Sequence, residues 1–132
     1  MPGEEDAVLA ANEQFYRAFD ARDNGAMESV WATRAPVACI HPGWAPLLGR
    51  ELVLESWKRI LDPETSPRIA CSGASAHLLG DTAFVICTER LSDGELVATN
   101  LFTRESGAWK LVHHQAGPTP PPEDPPAAGT VH

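Results

Sequence analysis

No apolar run in the chain approaches the roughly 18 residues that a membrane-crossing helix requires, so no spanning segment is expected. Cysteine is sparse. The three residues Cys39, Cys71 and Cys87 form no Cys-x-x-Cys pair, which removes zinc-knuckle and thioredoxin-type motifs. Each sits in an apolar, strand-like context and reads as a small packing residue. Positive charge is also short: 10 Lys and Arg stand against 18 Asp and Glu, a net charge of -8. Without a basic patch to meet phosphates, a nucleic-acid partner is not expected, and the charge serves solubility. The opening Met-Pro-Gly-Glu-Glu-Asp is acidic where a secretory leader would be basic and then apolar, which points to a cytoplasmic protein.

What is present fits one globular domain. The 132 residues are 43% hydrophobic and 21% charged, enough to bury a sizeable core. Val8, Ala11, Phe15, Ala18, Phe19 and Arg22 recur at three- and four-residue intervals and predict a helix over residues 5–22. Asp23-Asn24-Gly25 ends it and can cap a short second helix that runs to Trp31. A strand is expected over residues 35–41 and a third helix over 49–61, stopped by Asp62-Pro63. Beyond Ser66 come short β-rich runs, 68–79, 82–90, 95–104 and 108–116, separated by Gly-Asp, Ser-Asp-Gly and Glu-Ser-Gly turns. Helices followed by hairpin-linked strands predict an α+β fold, a curved antiparallel sheet wrapped around N-terminal helices. From Pro118 the chain carries six prolines in fifteen residues and little to bury, so residues 1–117 are expected as the domain and 118–132 as a disordered tail.

Chemistry concentrates between Val37 and Ile60. His41 ends the first strand, and Pro42 biases it towards an extended conformation. Pro42, Gly43 and Pro46 turn the chain with Trp44 in the turn, which makes a pocket corner of His41 and Trp44. The alternative is a histidine that only satisfies a strand end. Trp31, Trp57 and Trp109 read as core aromatics. No ligand spacing for a metal and no cofactor motif is present, so none is expected.

Several short motifs carry a family resemblance: Phe15-Tyr16-x-x-Phe19 before Ala21-Arg22-Asp23, His41-Pro42-Gly43-Trp44, Leu48-Gly49-Arg50 before Ser56-Trp57, and Thr99-Asn100-Leu101-Phe102 before Trp109-Lys110-Leu111-Val112-His113-His114. In order and content, residues 5–117 resemble the nuclear-transport-factor-like superfamily, most closely its SnoaL-like and ketosteroid-isomerase-like branch. The resemblance implies a cone-shaped α+β barrel with an apolar cavity at its wide end. It puts His41 at the position of the isomerases' aspartate base. It puts Asn100, two residues before Phe102, at that of their oxyanion-hole acid. The first-helix tyrosine position falls on Phe15, with Tyr16 one step off. The same register turns His113 inward and His114 outward.

The resemblance thus implies a small-molecule enzyme, an isomerase, cyclase or dehydratase without cofactor, acting on an apolar carbonyl compound. His41 is the expected base, Asn100 the oxyanion donor and His113 a second polar wall, with Phe15, Tyr16, Phe19, Trp44, Trp57 and Phe102 shaping the cavity. The alternative is a non-catalytic module of the same fold that binds a ligand or a partner chain. Either way a homodimer is expected through the outer face of the sheet, because both alternating sets of Ala83-Phe84-Val85-Ile86 are apolar.

Overall fold

The computed structural model describes residues 3–64 and 67–120. In chain order its elements are α1 (Glu4–Asp20), α2 (Asn24–Val30), β1 (Ala38–Ile40), β2 (Leu47–Leu48), α3 (Arg50–Leu61), β3 (Ala70–Leu79), β4 (Thr82–Leu91), β5 (Gly94–Glu105) and β6 (Ala108–Thr119). The fold is α+β, as the periodicities predict. No helix among the described residues is long and apolar enough to cross a membrane.

The strands form one open sheet in the order β2-β1-β6-β5-β4-β3. β3 to β6 are the expected antiparallel meander. β1 departs from expectation, because it runs parallel to β6. A hairpin imposes antiparallel pairing only on strands adjacent in sequence, whereas α3 and the whole meander separate β1 from β6 and permit either sense. β6 also runs further than the sequence suggests, taking in Pro118, which pairs with Leu96. β1 has already ended there, so the missing N–H of Pro118 forfeits no bond on that side. The remainder of the expected tail, from residue 121, lies outside the described residues.

The inward set of the meander packs on α1. Ala83, Val85, Cys87, Ala98, Phe102, Leu111 and Ala116 meet Val8, Phe15 and Phe19, all buried. Trp57 of α3 closes the end of this core, its ring 5.4 Å from Phe15 and 5.0 Å from Phe19 in edge-to-face contacts. Side chains of this size each contribute on the order of 1.5–3 kcal/mol by burial. Asp23 caps α2 by accepting from Ala26 N at 3.0 Å.

Two charged residues aim β1 at the core. Glu105 accepts from the backbone N–H groups of Thr33, Arg34 and Ala35 at 2.8–2.9 Å, pinning the approach to the strand. Arg50 begins α3, where the helix dipole disfavours a cation. Its guanidinium reaches back to the carbonyls of Trp31, Ala32 and Glu28 at 2.8–3.2 Å, so it closes the orphan end of α2. Gly49, with φ of 95°, supplies the turn from β2 into α3 that a side chain would strain.

Candidate active site

His-Pro-Gly-Trp is a β-turn in residue choice and geometry. Pro42 sets φ at the second position, Gly43 adopts φ of 81° at the third, and His41 O accepts from Trp44 N at 2.9 Å. The turn folds the Trp44 ring against the His41 ring at 4.8 Å, and Trp57 flanks His41 at the same distance. A cavity of about 210 Å³ opens there, walled by Phe19, Trp44, Trp57, Ile60, Leu91 and Leu96, with His41, Glu89 and His114 as its ionisable lining. It falls short of the ~300–1,000 Å³ typical of drug-sized ligands, so it suits a small molecule.

A polar network lies behind the cavity. Asn100 Oδ1 accepts from His114 Nδ1 at 2.6 Å, and Asn100 Nδ2 donates to Asn12 Oδ1 at 2.9 Å and Tyr16 Oη at 3.1 Å. Tyr16 Oη donates to Glu89 Oε2 at 2.6 Å, and Glu89 Oε2 lies 3.7 Å from His114 Nε2. The hydrogen bonds thus run from His114 through Asn100 and Tyr16 to Glu89, with Asn100, Glu89 and His114 at most 1% exposed. Such a network adds stability and fixes geometry only because every member finds a partner.

Burial sets the charge states. It pushes the Glu89 carboxyl up to about 7, against the opposing hydrogen bond from Tyr16. It lowers His41 to about 4 and His114 to about 3, the latter aided by the other two imidazoles nearby. Both histidines are thus neutral at physiological pH, and Glu89 titrates there. Burial and the neighbouring Glu89 charge drive the Tyr16 phenol far above its usual range. Burial likewise lifts the Cys39 thiol to about 12, in keeping with a packing role.

The structure sorts the residues singled out from sequence. His41, Phe19, Trp44 and Trp57 line the cavity together. Phe15 and Phe102 are buried in the core beneath it, and Tyr16 belongs to the network. Asn100 sits behind His114, with its amide hydrogens engaged by Asn12 and Tyr16 and none left for an oxyanion. His113 is not the inward histidine: it is half-buried, Nδ1 lies 3.2 Å from Ala38 O, and His114 faces the interior. The cause is a bulge. Leu101 pairs with His113 but Phe102 with Leu111, so Val112 is an extra residue that reverses the alternation after Leu111.

Glu89, Ser56 and Asn12 escape a sequence reading centred on the histidines. Glu89 nevertheless carries a signal, since it follows Ala83, Val85 and Cys87 on the inward parity of β4. Asn12 stands similarly between Val8 and Phe15 on the buried stripe of α1. A wider groove between α1 and β3, about 480 Å³, is bordered by Glu13, Arg17 and Asp20. Its charges are already paired, Glu13 with Arg17 at 2.6 Å and Asp20 with Arg68 at 2.8 Å.

Comparison with known proteins agrees with this architecture. A structure from Streptomyces avermitilis, described as a candidate dehydratase of the NTF2-like family, is 33% identical. It superimposes with a TM-score of 0.81, covering 88% of this chain and 96% of its own. A candidate calcium/calmodulin-dependent protein kinase type II association domain from Thiobacillus denitrificans is also 33% identical. Its TM-score is 0.75, with coverage of 84% and 94%. Among curated proteins, the F-box protein SKIP8 of Arabidopsis thaliana is 27% identical over 112 residues, 83% of this chain. The match takes in 48% of SKIP8, so the chain spans about half the length of that relative. Residues 8–120 match the SnoaL-like domain, from the second turn of α1 to the end of β6. The chain belongs to the SnoaL-like family.

Proposed function

We propose that this SnoaL-like domain works by cofactor-free general acid/base chemistry on a small, enolisable carbonyl compound. One observation carries the reading: His41, Glu89 and His114 open on a single apolar cavity. His41 is the base. Ser56 Oγ is 2.8 Å from its Nε2 and 2.6 Å from Val53 O, which can only accept. The serine hydrogen goes to that carbonyl, so Nε2 carries the imidazole hydrogen and Nδ1 keeps its lone pair. Glu89, whose carboxyl is pushed up to about 7 and is protonated below that pH, supplies the acid O–H. A carboxylic acid kept neutral in an apolar site is a recognised way to hold a carbonyl oxygen.

The chemistry balances without a further reactant. His41 Nδ1 takes a proton from the carbon beside the carbonyl, the C–H electrons move into a C=C bond, and the oxygen gains charge against the Glu89 O–H. Returning the proton to a different carbon gives an isomer. Expelling a β-hydroxyl as water, with that proton, gives a dehydration. The test is binding. Short cyclic ketones should perturb the NMR signals of His41, Trp57 and His114, and Leu96→Trp, which fills the cavity, should abolish this. Perturbations confined to the α1–β3 groove, or retained in Leu96→Trp, would contradict the reading.

A second reading, an association module, has its own support. Phe84, Ile86 and Leu101 lie half-buried on the outer face of the sheet, Val97 is 43% exposed there, and one 33%-identical neighbour is described as an association domain. A homodimer through this face would cover them. Light scattering should then report about twice 14.2 kDa, and Leu101→Asp should return the monomer. A wild-type monomer at micromolar concentration would count against it.

A further inference from the structure

The two imidazoles at the cavity are held by opposite nitrogens. His41 donates through Nε2 to Ser56, whose only hydrogen is committed to Val53 O. His114 meets Asn100 Oδ1 through Nδ1 at 2.6 Å, and a carbonyl oxygen cannot donate, so here Nδ1 carries the hydrogen. Asn12 and Tyr16 together set the orientation of Asn100, since Tyr16 gives its hydrogen to Glu89 and so accepts from Asn100 Nδ2 at 3.1 Å. The same Nδ2 faces Asn12 Oδ1 at 2.9 Å, and rotating the amide would set two carbonyl oxygens against each other. Asn12 in turn directs its Nδ2 towards Cys71 Sγ at 3.8 Å. Neither Asn100 nor Ser56 borders the cavity, and both are buried. Their reach into it runs entirely through the two histidines.

We propose that Ser56 and Asn100 are positioning residues that lock His41 in the Nε2–H form and His114 in the Nδ1–H form. His41 Nδ1 and His114 Nε2 are then the two proton acceptors of the site, and the Glu89 carboxyl is the acid between them and the network. The assignment explains why His114 and Asn100 are paired across β5 and β6, opposite each other in register. It also gives the inward asparagine a purpose that its engaged amide denies it as an oxyanion donor. The locked tautomers go beyond the acid/base reading and rest on it only for the use of the two remaining lone pairs, that of His41 Nδ1, 3.9 Å from Cys39 Sγ, and that of His114 Nε2, 3.7 Å from Glu89 Oε2, since the tautomers belong to the unliganded protein.

Nitrogen-15 NMR of the histidine side chains tests this in the full chain without any ligand, at pH 7.5. Signals are assigned with the aid of His77→Gln, His113→Gln and His132→Gln. His41 should show a protonated Nε2. His114 should show a protonated Nδ1, the form that free imidazole side chains disfavour. Asn100→Leu should convert His114 to Nε2–H, while Asn100→Asp keeps Nδ1–H, and Ser56→Ala should release His41 while Ser56→Thr does not. A wild-type His114 found as Nε2–H or as imidazolium would overturn the proposal even if no variant folds. So would an Asn100→Leu variant that keeps Nδ1–H. Correct tautomers in a protein that turns over no carbonyl compound would instead sink the catalytic reading and leave the positioning roles standing.

Discussion

Replacing Glu89 with glutamine should stabilise the protein, and increasingly so as the pH rises. In the unfolded chain a glutamate ionises near 4.5, whereas burial holds Glu89 protonated in the fold until about 7. Between those values the folded state keeps a proton that the unfolded state has lost, so stability falls as pH rises through the window and levels off above it. At about 1.4 kcal/mol per unit, the carboxyl costs on the order of 3 kcal/mol by pH 8 and about 0.8 kcal/mol at pH 5. Glutamine is nearly isosteric and its amide oxygen still accepts from Tyr16. His41 and His114 titrate in both proteins and cancel in the difference. For a chain of this size the change corresponds to a Tm gap on the order of 10 °C at pH 8, shrinking towards pH 5. Thermal melts followed by circular dichroism across pH 5–8 measure it. A gap that does not change with pH, or a variant that melts lower at pH 8, would refute a buried, neutral Glu89.

Other perturbations have equally definite signs. Tyr16→Phe removes the hydrogen bond that pulls the Glu89 carboxyl down, so the carbon-13 titration of Glu89 should move above its wild-type midpoint. His41 and His114 act in the opposite sense and, being two against one, outweigh Glu89. Below about pH 6.5 the unfolded chain protonates both histidines while His41 waits until about 4 and His114 until about 3, so their contribution to stability is lost on acidification. His41→Gln should blunt that acid-side slope in a urea-melt series. Glu105→Ala frees three backbone N–H groups of the β1 approach and should cost about 1.5–3 kcal/mol by denaturant unfolding. A loss within about 0.5 kcal/mol would mean that water replaces the carboxylate.

The elements were legible because their periods are strong. The α1 stripe and the alternation of Thr82–Leu91 each bury one face, and the Gly-containing turns mark the hairpins. His41 was legible for the same local reason, since Pro42 and Gly43 define its turn. What failed is non-local. The single-residue bulge at Val112 reverses which of two adjacent histidines points inward, and it shows only in the pairing with β5. Pro118 joins β6 because β1 is short, a fact about its neighbour rather than about proline. Glu89 and Asn12 look like solvated polar residues until the surrounding parity is followed. Their partners lie 73 and 88 positions away in the chain, a separation that no local pattern spans.

The central claim is that His41 removes a proton from carbon against the Glu89 acid. Deuterium incorporation next to the carbonyl of short cyclic ketones, followed by proton NMR in D2O, tests it without knowledge of the natural substrate. For at least one ketone that binds the cavity, wild-type protein should exchange that hydrogen faster than buffer. His41→Ala should lose most of this acceleration, about 10²–10⁴-fold where a positioned base carries the step. Exchange at the buffer rate with bound ketone, or an unchanged rate in His41→Ala, would contradict a base at His41.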